Sequence, residues 1–412
     1  MKILHLIAGD LKGGAAKGAV TLHLALKRHS VQSTILTNSK LELEKDDTVS
    51  ILNSFTSRAL NYIRARIDRI LTLPYLNKSS NIFSTGIFGY NFTSSKFYKE
   101  ADIIHLHWIN SLVNIKDLSK IKKPIIWTFR DMWPMTGGCH INYSCQNYLA
   151  GCGQCKQLKS KGYDLSKYVI KRKKKYLPKN LKIVGISNWI SNNARASYLF
   201  KNYDIRTINN CIDTNIFFPL NKKESQKKLN INTKKKIILT GAQNLDDPYK
   251  GFDKFLELLE ELEVNKYFIC FFGYVNENIL ANLNFEYKNL GIISKDTILN
   301  LAYNSADVFV STSILEPFGK TIVESMSCKT PVVCFDTSGP KDLIDHRING
   351  YKAKAYEVTD LKNGIEYIIK PDEYENICNR AIKKVKDSFD SNVISKQYIE
   401  LYKEVLTNDY NR

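Results

Sequence analysis

The sequence predicts an α/β protein built from two doubly wound domains. Three observations support this prediction. At 412 residues the chain is too long for one ordinary core, short apolar runs alternate with helical stretches, and the alternation restarts near residue 235. We therefore expect an N-terminal domain at 1–209, completed by a C-terminal helix at 388–412, and a second domain at 210–387.

The N-terminal domain is predicted from five buried strands. Each is a short apolar run, as expected for a parallel strand covered on both faces. A glycine pair and a helix at 15–28 follow the first run. The strands are expected at 3–8, 35–36, 102–107, 124–129 and 182–186.

The second domain repeats this arrangement. Two of its helices are expected between strands, at 252–262 and 321–328, and a helix over 390–406 is expected to return to the first domain. The strands are predicted at 236–240, 267–272, 307–311 and 331–335.

Charge and hydropathy limit the possible surroundings of the protein. The 60 basic and 41 acidic residues leave a net charge of +19. That excess fits an anionic partner, such as acidic lipid, a phosphorylated ligand or nucleic acid, or lysines that only solvate the surface. The apolar run at 3–8 is too short for a signal peptide, and no run approaches the roughly 20 residues that cross a bilayer. We therefore predict a cytoplasmic protein with reduced thiols.

The segment 311–336 has the features of an anion site next to two acids. A strand is expected to end at 311 and a helix to begin near Lys320, so main-chain N–H groups at the helix start point outward as donors. Gly319 would let a phosphate approach the main chain. Glu316 and Glu324 would repel a diphosphate, but they can accept hydrogen bonds from sugar hydroxyls. Taken singly, Glu316 could be a helix-start acid and Glu324 a solvated helix residue.

The complete segment favours the functional interpretation of these two glutamates. Glu316-Pro-Phe-Gly, Glu324 and the run 330–336 resemble the signature of family 4 retaining glycosyltransferases. This resemblance implies the GT-B fold, in which two Rossmann-like domains face each other across a cleft. It also implies that Glu316 contacts the donor sugar and Glu324 the ribose hydroxyls. The predicted diphosphate loop comprises Phe318, Gly319, Lys320 and Thr321.

Three further segments extend the resemblance, and two of them depart from the family pattern at one position. Lys250-Gly251 resembles the step at which a basic residue meets the donor phosphates. The arginine usual six residues earlier is Asn244, and we expect Lys320 to compensate for it. Gly13-Gly14 resembles the family's N-terminal glycine loop, which lies near the donor.

The segment 128–138 resembles the family pattern T-x-H-D-x-W-P-x-T-G-G, with Arg130 in place of histidine. Arginine stays charged and can only donate hydrogen bonds, so proton shuttling is not expected there. Asp131 either orients Arg130 or faces the acceptor. The predicted catalytic residues are therefore Glu316, Arg130 and Asp131.

The resemblance implies a hexosyl- or N-acetylhexosaminyl-type transferase with a UDP- or GDP-sugar donor and no catalytic metal. It implies a polyprenyl-diphosphate-linked or other glycan acceptor in bacterial surface polysaccharide synthesis, of the colanic-acid, O-antigen or capsule type. The enzyme would work as a peripheral protein on the inner face of the cytoplasmic membrane. The alternatives are a nucleotide-sugar epimerase on the same scaffold and a nucleic-acid-binding protein. The string at 128–138 argues against the first, and the lack of a basic motif interleaved with aromatics argues against the second.

Four cysteines follow the 128–138 segment within seventeen residues: Cys139, Cys145, Cys152 and Cys155. In a reduced compartment such a cluster favours a structural zinc ion, although only the last pair has common zinc-ligand spacing. Two reversible disulfides or free thiols are the alternatives.

A helix is predicted over 57–71 with an apolar stripe flanked by Arg64 and Arg66. Such a helix suits an anionic membrane surface, and the basic run at 171–175 adds to that surface. Packing of the stripe on the domain's own sheet is the alternative. The stripe comprises Leu60, Ile63, Ile67, Ile70 and Leu71.

Overall fold

The computed structural model of the protein describes residues 1–9, 11, 13–39, 47–52, 55–75, 78 and 81–410. The chain divides into two compact units. Unit 1 comprises Met1–Asn209 and Ile394–Arg412, and unit 2 comprises Asn210–Val393. The division between Val393 and Ile394 falls inside the last helix. Residues 411–412 of the predicted C-terminal helix lie outside the described residues.

Unit 1 is a seven-stranded parallel sheet with helices in its connections. The strand order is β3-β2-β1-β4-β5-β6-β7, so the order reverses between β1 and β4, where open α/β sheets bind ligands beyond the carboxyl ends of the strands. Its strands are β1 (Lys2–Leu6), β2 (Gln32–Thr37), β3 (Thr48–Ser50), β4 (Ile103–Leu106), β5 (Ile125–Phe129), β6 (Lys182–Gly185) and β7 (Ile205–Thr207). Its helices before the return are α1 (Gly14–Arg28), α2 (Phe55–Ile70), α3 (Lys96–Glu100), α4 (Leu165–Tyr176) and α5 (Asn188–Ala196).

Unit 2 is a six-stranded parallel sheet in the order β10-β9-β8-β11-β12-β13, which reverses between β8 and β11. Its strands are β8 (Lys236–Asn244), β9 (Tyr267–Tyr274), β10 (Tyr287–Asn289), β11 (Val308–Ser311), β12 (Val332–Phe335) and β13 (Tyr351–Ala353). Its helices are α6 (Lys222–Lys228), α7 (Phe252–Glu261), α8 (Glu277–Leu280), α9 (Asp296–Ser305), α10 (Lys320–Ser327), α11 (Pro340–Leu343), α12 (Val358–Ile368) and α13 (Pro371–Ser388).

The last helix, α14 (Ser391–Tyr410), returns to unit 1. Two of its side chains are at most 2% exposed, and they form hydrogen bonds with polar groups of the sheet. The Tyr402 hydroxyl lies 2.7 Å from His105 Nδ1 on β4, and the Tyr398 hydroxyl lies 3.0 Å from Thr128 Oγ1 on β5. This helix therefore completes the core of unit 1.

Every strand predicted from an apolar run is present, within a few residues at its ends. The four edge strands were not predicted from the sequence: β3, β7, β10 and β13. Each has only three residues, and none is buried throughout. A run that short carries no periodicity, because its pairing depends on the neighbouring strand. Among the described helices, none combines the length and apolar content needed to cross a bilayer.

Candidate functional site

The loop between β11 and α10 is tied to the loop that follows β12. The Glu316 N–H donates to Ser338 Oγ at 3.0 Å. The Gly339 N–H donates to the Glu316 carbonyl at 2.8 Å. Glu316 therefore has a fixed main chain beyond the carboxyl end of β11, next to the point where the strand order of unit 2 reverses.

Gly319 forms the turn into α10. Its φ of 101° is in the left-handed region, and a Cβ there would come within 3.1 Å of the side chains of Ile322 and Leu343. Phe318 is 2% exposed, and its ring packs against Phe389. This part of the loop can therefore contact a ligand through its main-chain groups. The first N–H groups of α10 have no acceptor within their own helix.

Lys250 and Glu316 form the first of two ion pairs at this loop. Lys250 Nζ lies 2.5 Å from Glu316 Oε2, and both side chains are about one-fifth exposed. The pair depends on a close approach of two loops, since the Ile314 N–H donates to the Tyr249 carbonyl at 2.9 Å. A Cβ on Gly251 would lie 2.2 Å from the Thr312 carbonyl oxygen. Only glycine fits after Lys250, which explains the lysine–glycine step.

Lys320 and Glu324 form the second ion pair, one turn apart on α10. Glu324 is 2% exposed. One of its carboxylate oxygens accepts from Lys320, and the other accepts from the Tyr303 hydroxyl at 2.9 Å. Burial by itself lowers the pKa of Lys320, but the adjacent Glu324 carboxylate raises it above its usual value. Burial, reinforced by the same carboxylate, raises the pKa of Tyr303 well above its usual range.

The structure changes the interpretation of two residues at this loop. Glu324 is not a solvated helix residue, because the fold buries it and both of its oxygens have protein partners. Lys320 is the first residue of α10, next to the loop as expected for a substitute cation, but its ammonium binds Glu324. Asn244 does not present a cation, and its amide donates to Asp247 Oδ1 at 3.2 Å.

In unit 1, Arg130 and Asp131 lie just beyond the carboxyl end of β5. Arg130 is 5% exposed, and its Nε donates to His107 Nδ1 at 3.3 Å. Asp131 is a structural anchor for the segment. Its Oδ2 lies 2.9 Å from Trp108 Nε1 and 2.6 Å from His140 Nδ1, and its Oδ1 accepts from the Trp133 N–H at 2.9 Å.

Arg130 is the start of a buried histidine chain whose tautomers follow from the hydrogen bonds. Because a guanidinium only donates, His107 Nδ1 must accept. His107 Nε2 then carries the proton and donates to His5 Nδ1 at 2.9 Å. His5 Nε2 is therefore protonated, and it is buried without a partner among the described residues. Burial holds the pKa of both rings well below its usual value, and the Arg130 charge lowers it further.

His5, His105 and His107 are also the described residues whose ligand atoms lie close enough together, within 4.8 Å, to hold a metal ion. Their chemistry does not fit one. Both nitrogens of His105 are engaged, by Tyr402 and by Thr128 at 2.8 Å. The Arg130 guanidinium would repel a second cation. We interpret the three rings as a neutral hydrogen-bonded support for Arg130.

Gly13 and Gly14 begin α1 beyond the carboxyl end of β1. A Cβ built on either glycine meets nothing within 4 Å. The space over their main chain is therefore open on the described part of unit 1. The neighbouring positions 10 and 12 are not described.

The four clustered cysteines, all free thiols, line one cavity of about 20 Å³. Within the described residues, no three of their sulfur atoms all lie within 4.8 Å of one another, whereas the ligand atoms of the three histidines do. Burial raises the pKa of Cys139 to about 12 and that of Cys152 to about 11. Without a metal these two thiols are neutral.

Lys173 of α4 reaches the wall beside this cavity. It is 1% exposed. Its ammonium donates to the Trp133 carbonyl and to the Thr136 carbonyl at 2.9 Å, and it lies 3.7 Å from the centre of the Trp133 ring. Burial lowers the pKa of Lys173 to about 7, opposed by Cys152, Cys139 and Asp131. One member of the predicted basic run at 171–175 therefore points into the core.

The predicted apolar stripe of α2 is largely uncovered. Leu60, Ile63 and Ile70 are each about half exposed, whereas Ile67 and Leu71 are half-buried. Asp68, beside the stripe, accepts a hydrogen bond from the Thr85 N–H at 3.1 Å. Packing of the whole stripe on unit 1 is therefore excluded.

Several residues of these sites had no signal that the sequence analysis used. Tyr303 lies on a different helix from its partner Glu324, and Lys173 is one lysine in a basic run. The histidine chain did leave a trace. His105 and His107 lie near the end of a predicted strand. His5 lies on the adjacent strand, where the register pairs it with His105. An alignment of the predicted strands would have found it.

One family of known proteins matches this chain within its second unit. Residues 221–385 match the family described as "Glycosyl transferases group 1". N-acetyl-alpha-D-glucosaminyl L-malate synthase of Bacillus anthracis is 25% identical over 51% of this chain and 56% of its own length. N,N'-diacetylbacillosaminyl-diphospho-undecaprenol alpha-1,3-N-acetylgalactosaminyltransferase of Campylobacter jejuni is 28% identical over 47% of this chain and 52% of its own length. The chain thus spans about half the length of these relatives.

The fold extends over nearly the whole chain. Anabaena HepE in complex with UDP and glucose superposes with a TM-score of 0.67 and 17% identity, covering 98% of this chain and 99% of that one. The two parallel α/β sheets and this superposition show the GT-B fold. Residues 221–385, within unit 2, belong to the group 1 glycosyltransferase family. The predicted family and fold class are confirmed.

Proposed function

We propose that this protein transfers a sugar from a nucleoside diphosphate sugar to an acceptor hydroxyl with retention of anomeric configuration. The observation that carries the proposal is the pair of lysine–glutamate bridges at the α10 loop. Two cations and two carboxylates converge on a glycine turn and a helix start, which suits a ligand with both phosphates and hydroxyls.

The two bridges suggest how the donor would be bound. A diphosphate carries negative charge that competes with the carboxylates for Lys250 and Lys320. Once a lysine turns toward phosphate, its partner glutamate is free to accept hydrogen bonds from hydroxyls. Glu316 would then receive the sugar and Glu324 the ribose, while the main chain at Gly319 approaches the diphosphate.

Lys250 and Lys320 would also stabilise the leaving diphosphate as its charge develops. For retention, the leaving phosphate would assist attack from its own side, so no protein nucleophile is required. Arg130, fixed through His107, would supply a permanent positive charge and hydrogen-bond donors in unit 1. Asp131 would act indirectly, by holding the segment that carries Arg130.

The acceptor proposed is a lipid-linked glycan at an anionic membrane surface, on the cytoplasmic face where thiols stay reduced. The exposed face of α2 carries Leu60, Ile63 and Ile70, and exposed lysines of the 171–175 run add positive charge. The Campylobacter relative's name specifies a diphospho-undecaprenol acceptor. That name supports the acceptor class without fixing the glycan.

Donor binding is tested by thermal shift with a panel of UDP- and GDP-sugars, because a ligand bound only by the native state raises its melting temperature. At 100 times the dissociation constant the expected stabilisation is about 2.7 kcal/mol. Glu316→Gln should reduce the shift. The control is Lys254→Ala, which breaks an exposed ion pair with Glu257 on α7 and should leave it unchanged.

Absence of a shift with every nucleotide sugar would overturn the donor assignment. Recovery of an epimerised sugar from a reaction without acceptor would replace transfer with isomerase activity.

Membrane binding is tested by sedimentation with vesicles of phosphatidylglycerol and of phosphatidylcholine. We expect binding to the anionic vesicles only, and a loss of about tenfold in the double variant Ile63→Ser and Ile70→Ser. Ile292→Ser is the control, since Ile292 is an apolar residue of unit 2 that is even more exposed than Ile63 and Ile70. Equal binding by all variants would show that α2 is not the contact.

A further inference from the structure

The segment that holds the four clustered cysteines has an unusual main chain. Four consecutive residues from Gly151 to Gln154 have positive φ values, and two of them, Cys152 (51°) and Gln154 (50°), are not glycine. Left-handed backbone costs roughly 1–2 kcal/mol for each such residue, so the surroundings must hold this turn in place. The turn brings Cys152 and Cys155 to the same cavity.

Main-chain donors face two of the sulfur atoms. The Gly137 N–H donates to Cys152 Sγ at 3.2 Å. Burial raises the pKa of the Cys155 thiol, and the main-chain N–H groups of Leu158 and Gln157 oppose that rise. N–H groups directed at sulfur stabilise a negative charge there. Neutral thiols, which are weak acceptors, gain little from this arrangement.

Lys173 is the second, independent observation. Its side chain is buried beside the cysteine cavity, and its ammonium contacts two carbonyl oxygens and an indole ring. Within the described ranges it forms no ion pair with a carboxylate. A buried ammonium is costly unless a negative charge compensates for it. Lys173 is held beside the sulfur atoms, because the Thr136 residue whose carbonyl accepts from it also lines the cysteine cavity.

We propose that Cys139, Cys145, Cys152 and Cys155 bind one thiophilic divalent cation, Zn²⁺, as four thiolates, with Lys173 as the counter-charge. Binding releases the four thiol protons to solvent. The zinc centre then carries a net charge of −2, and Lys173 offsets half of it. The ion would fix the strained turn against the segment that carries Arg130 and Asp131.

The shared cavity of about 20 Å³ has room for an ion. Zn–S bonds of about 2.3 Å require the sulfurs to be about 3.8 Å apart, closer than they are here. The thiol side chains must therefore turn inward into the cavity that they line. The histidine triad of unit 1 is more tightly grouped, but Arg130 beside it makes it a poor cation site. The zinc proposal does not depend on the transfer reaction.

The first test is metal analysis of the full chain, purified with a thiol reductant and without chelator. We expect about one zinc per chain and a loss of at least fivefold in Cys155→Ser. Cys378→Ala is the control, because Cys378 is a buried cysteine of unit 2 and its removal should leave the zinc content unchanged. Less than about 0.1 zinc per chain in the reduced wild-type protein would overturn the proposal.

The second test does not need a variant to fold. Wild-type protein is titrated with a mercurial reagent in the presence of a zinc-sensitive dye, and thiols are counted after denaturation without reductant. The proposal predicts that zinc is released as four thiols react and that all nine cysteines are free. Four thiols missing as disulfides, or thiol reaction without metal release, would contradict it.

Discussion

Units 1 and 2 each bury one lysine beside a functional segment, and they compensate its charge differently. Lys320 of unit 2 pairs with Glu324 one turn along the same helix, and that carboxylate raises its pKa despite burial. Lys173 of unit 1 contacts carbonyl oxygens and an indole, and burial lowers its pKa to about 7. In unit 2 a carboxylate therefore compensates the charge of the buried lysine. In unit 1 no carboxylate forms an ion pair with the buried lysine within the described residues.

This difference matches the two proposed ligands, an anion at the α10 loop of unit 2 and a cation at the cysteine cavity of unit 1. At the α10 loop, a ligand with phosphates can exchange with carboxylates that the protein already supplies. At the cysteine cavity, the negative charge appears only when thiols lose their protons, and a bound metal ion would cause that loss. Removing charges in each unit tests this contrast.

The largest effect is expected from Glu324→Ala. It leaves Lys320 buried without its carboxylate, which typically costs roughly 3–5 kcal/mol. We expect that loss of stability in urea unfolding, together with loss of transfer. The double variant Glu324→Leu and Lys320→Met removes both charges, so it should recover most of the stability while donor binding stays absent. Wild-type transfer by Glu324→Ala would contradict the role of this pair.

Gly319→Ala should have the next largest effect. A side chain at a φ of 101° is strained and crowds Ile322 and Leu343, so the expected cost is about 1–2 kcal/mol. It also shifts the helix start that holds the Lys320–Glu324 pair, so the thermal shift by a donor should fall. Gly13→Ala is the matched change in unit 1, where φ is −66° and the space is open. A stability loss at Gly13 equal to that at Gly319 would contradict this reasoning.

Lys173 should produce a pH dependence that Lys320 does not. In metal-free protein the folded-state pKa of Lys173 is about 7, below its unfolded value of 10.5. The unfolded chain then binds more protons above pH 7, so stability rises with pH, by up to about 1.4 kcal/mol per unit. The test window is about pH 7 to 7.5, because the cysteines of the unfolded chain, whose ordinary pKa is about 8.5, ionise above it and oppose the slope.

Urea unfolding of the zinc-free protein across this window should show the slope, and Lys173→Met should lack it. Restored zinc should steepen the wild-type profile, because unfolding releases the ion and the four thiols then take up their protons again. A slope that persists unchanged in Lys173→Met would assign it to another group.

The smallest effect on stability is expected from Lys250→Met. Lys250 and Glu316 are each about one-fifth exposed, so losing their bridge should cost about 1 kcal/mol or less. Donor affinity should still fall, by about tenfold, because a phosphate contact is lost. Titration calorimetry with the best donor of the thermal-shift panel measures this. Unchanged affinity would remove Lys250 from the proposed donor site.

Much of the fold was predictable because buried parallel strands leave continuous apolar runs. The strands next to each reversal of order, β1 with β4 and β8 with β11, were all found in this way. The three-residue edge strands were not, because their pairing depends on neighbours that a local pattern does not contain.

The candidate site was predictable where one stretch of chain holds it. Glu316, Gly319, Lys320 and Glu324 lie within nine residues, so their spacing was informative. The environment of each side chain was not predictable, because it comes from distant elements. Tyr303 buries Glu324 from another helix, and His107 holds Arg130 from another strand. The inward direction of Lys173 depends on how α4 packs, and its four basic neighbours gave no sign of it.

The return of α14 to unit 1 has a consequence for synthesis on the ribosome. Tyr398 and Tyr402 are translated after every strand of both units, yet they supply hydroxyl partners for Thr128 and His105 in the centre of the first sheet. Unit 1 therefore cannot complete its core when its strands emerge. N-terminal domains usually fold first, but we expect unit 1 to complete its fold last. A nascent chain that lacks α14 should expose an incomplete first sheet to chaperones.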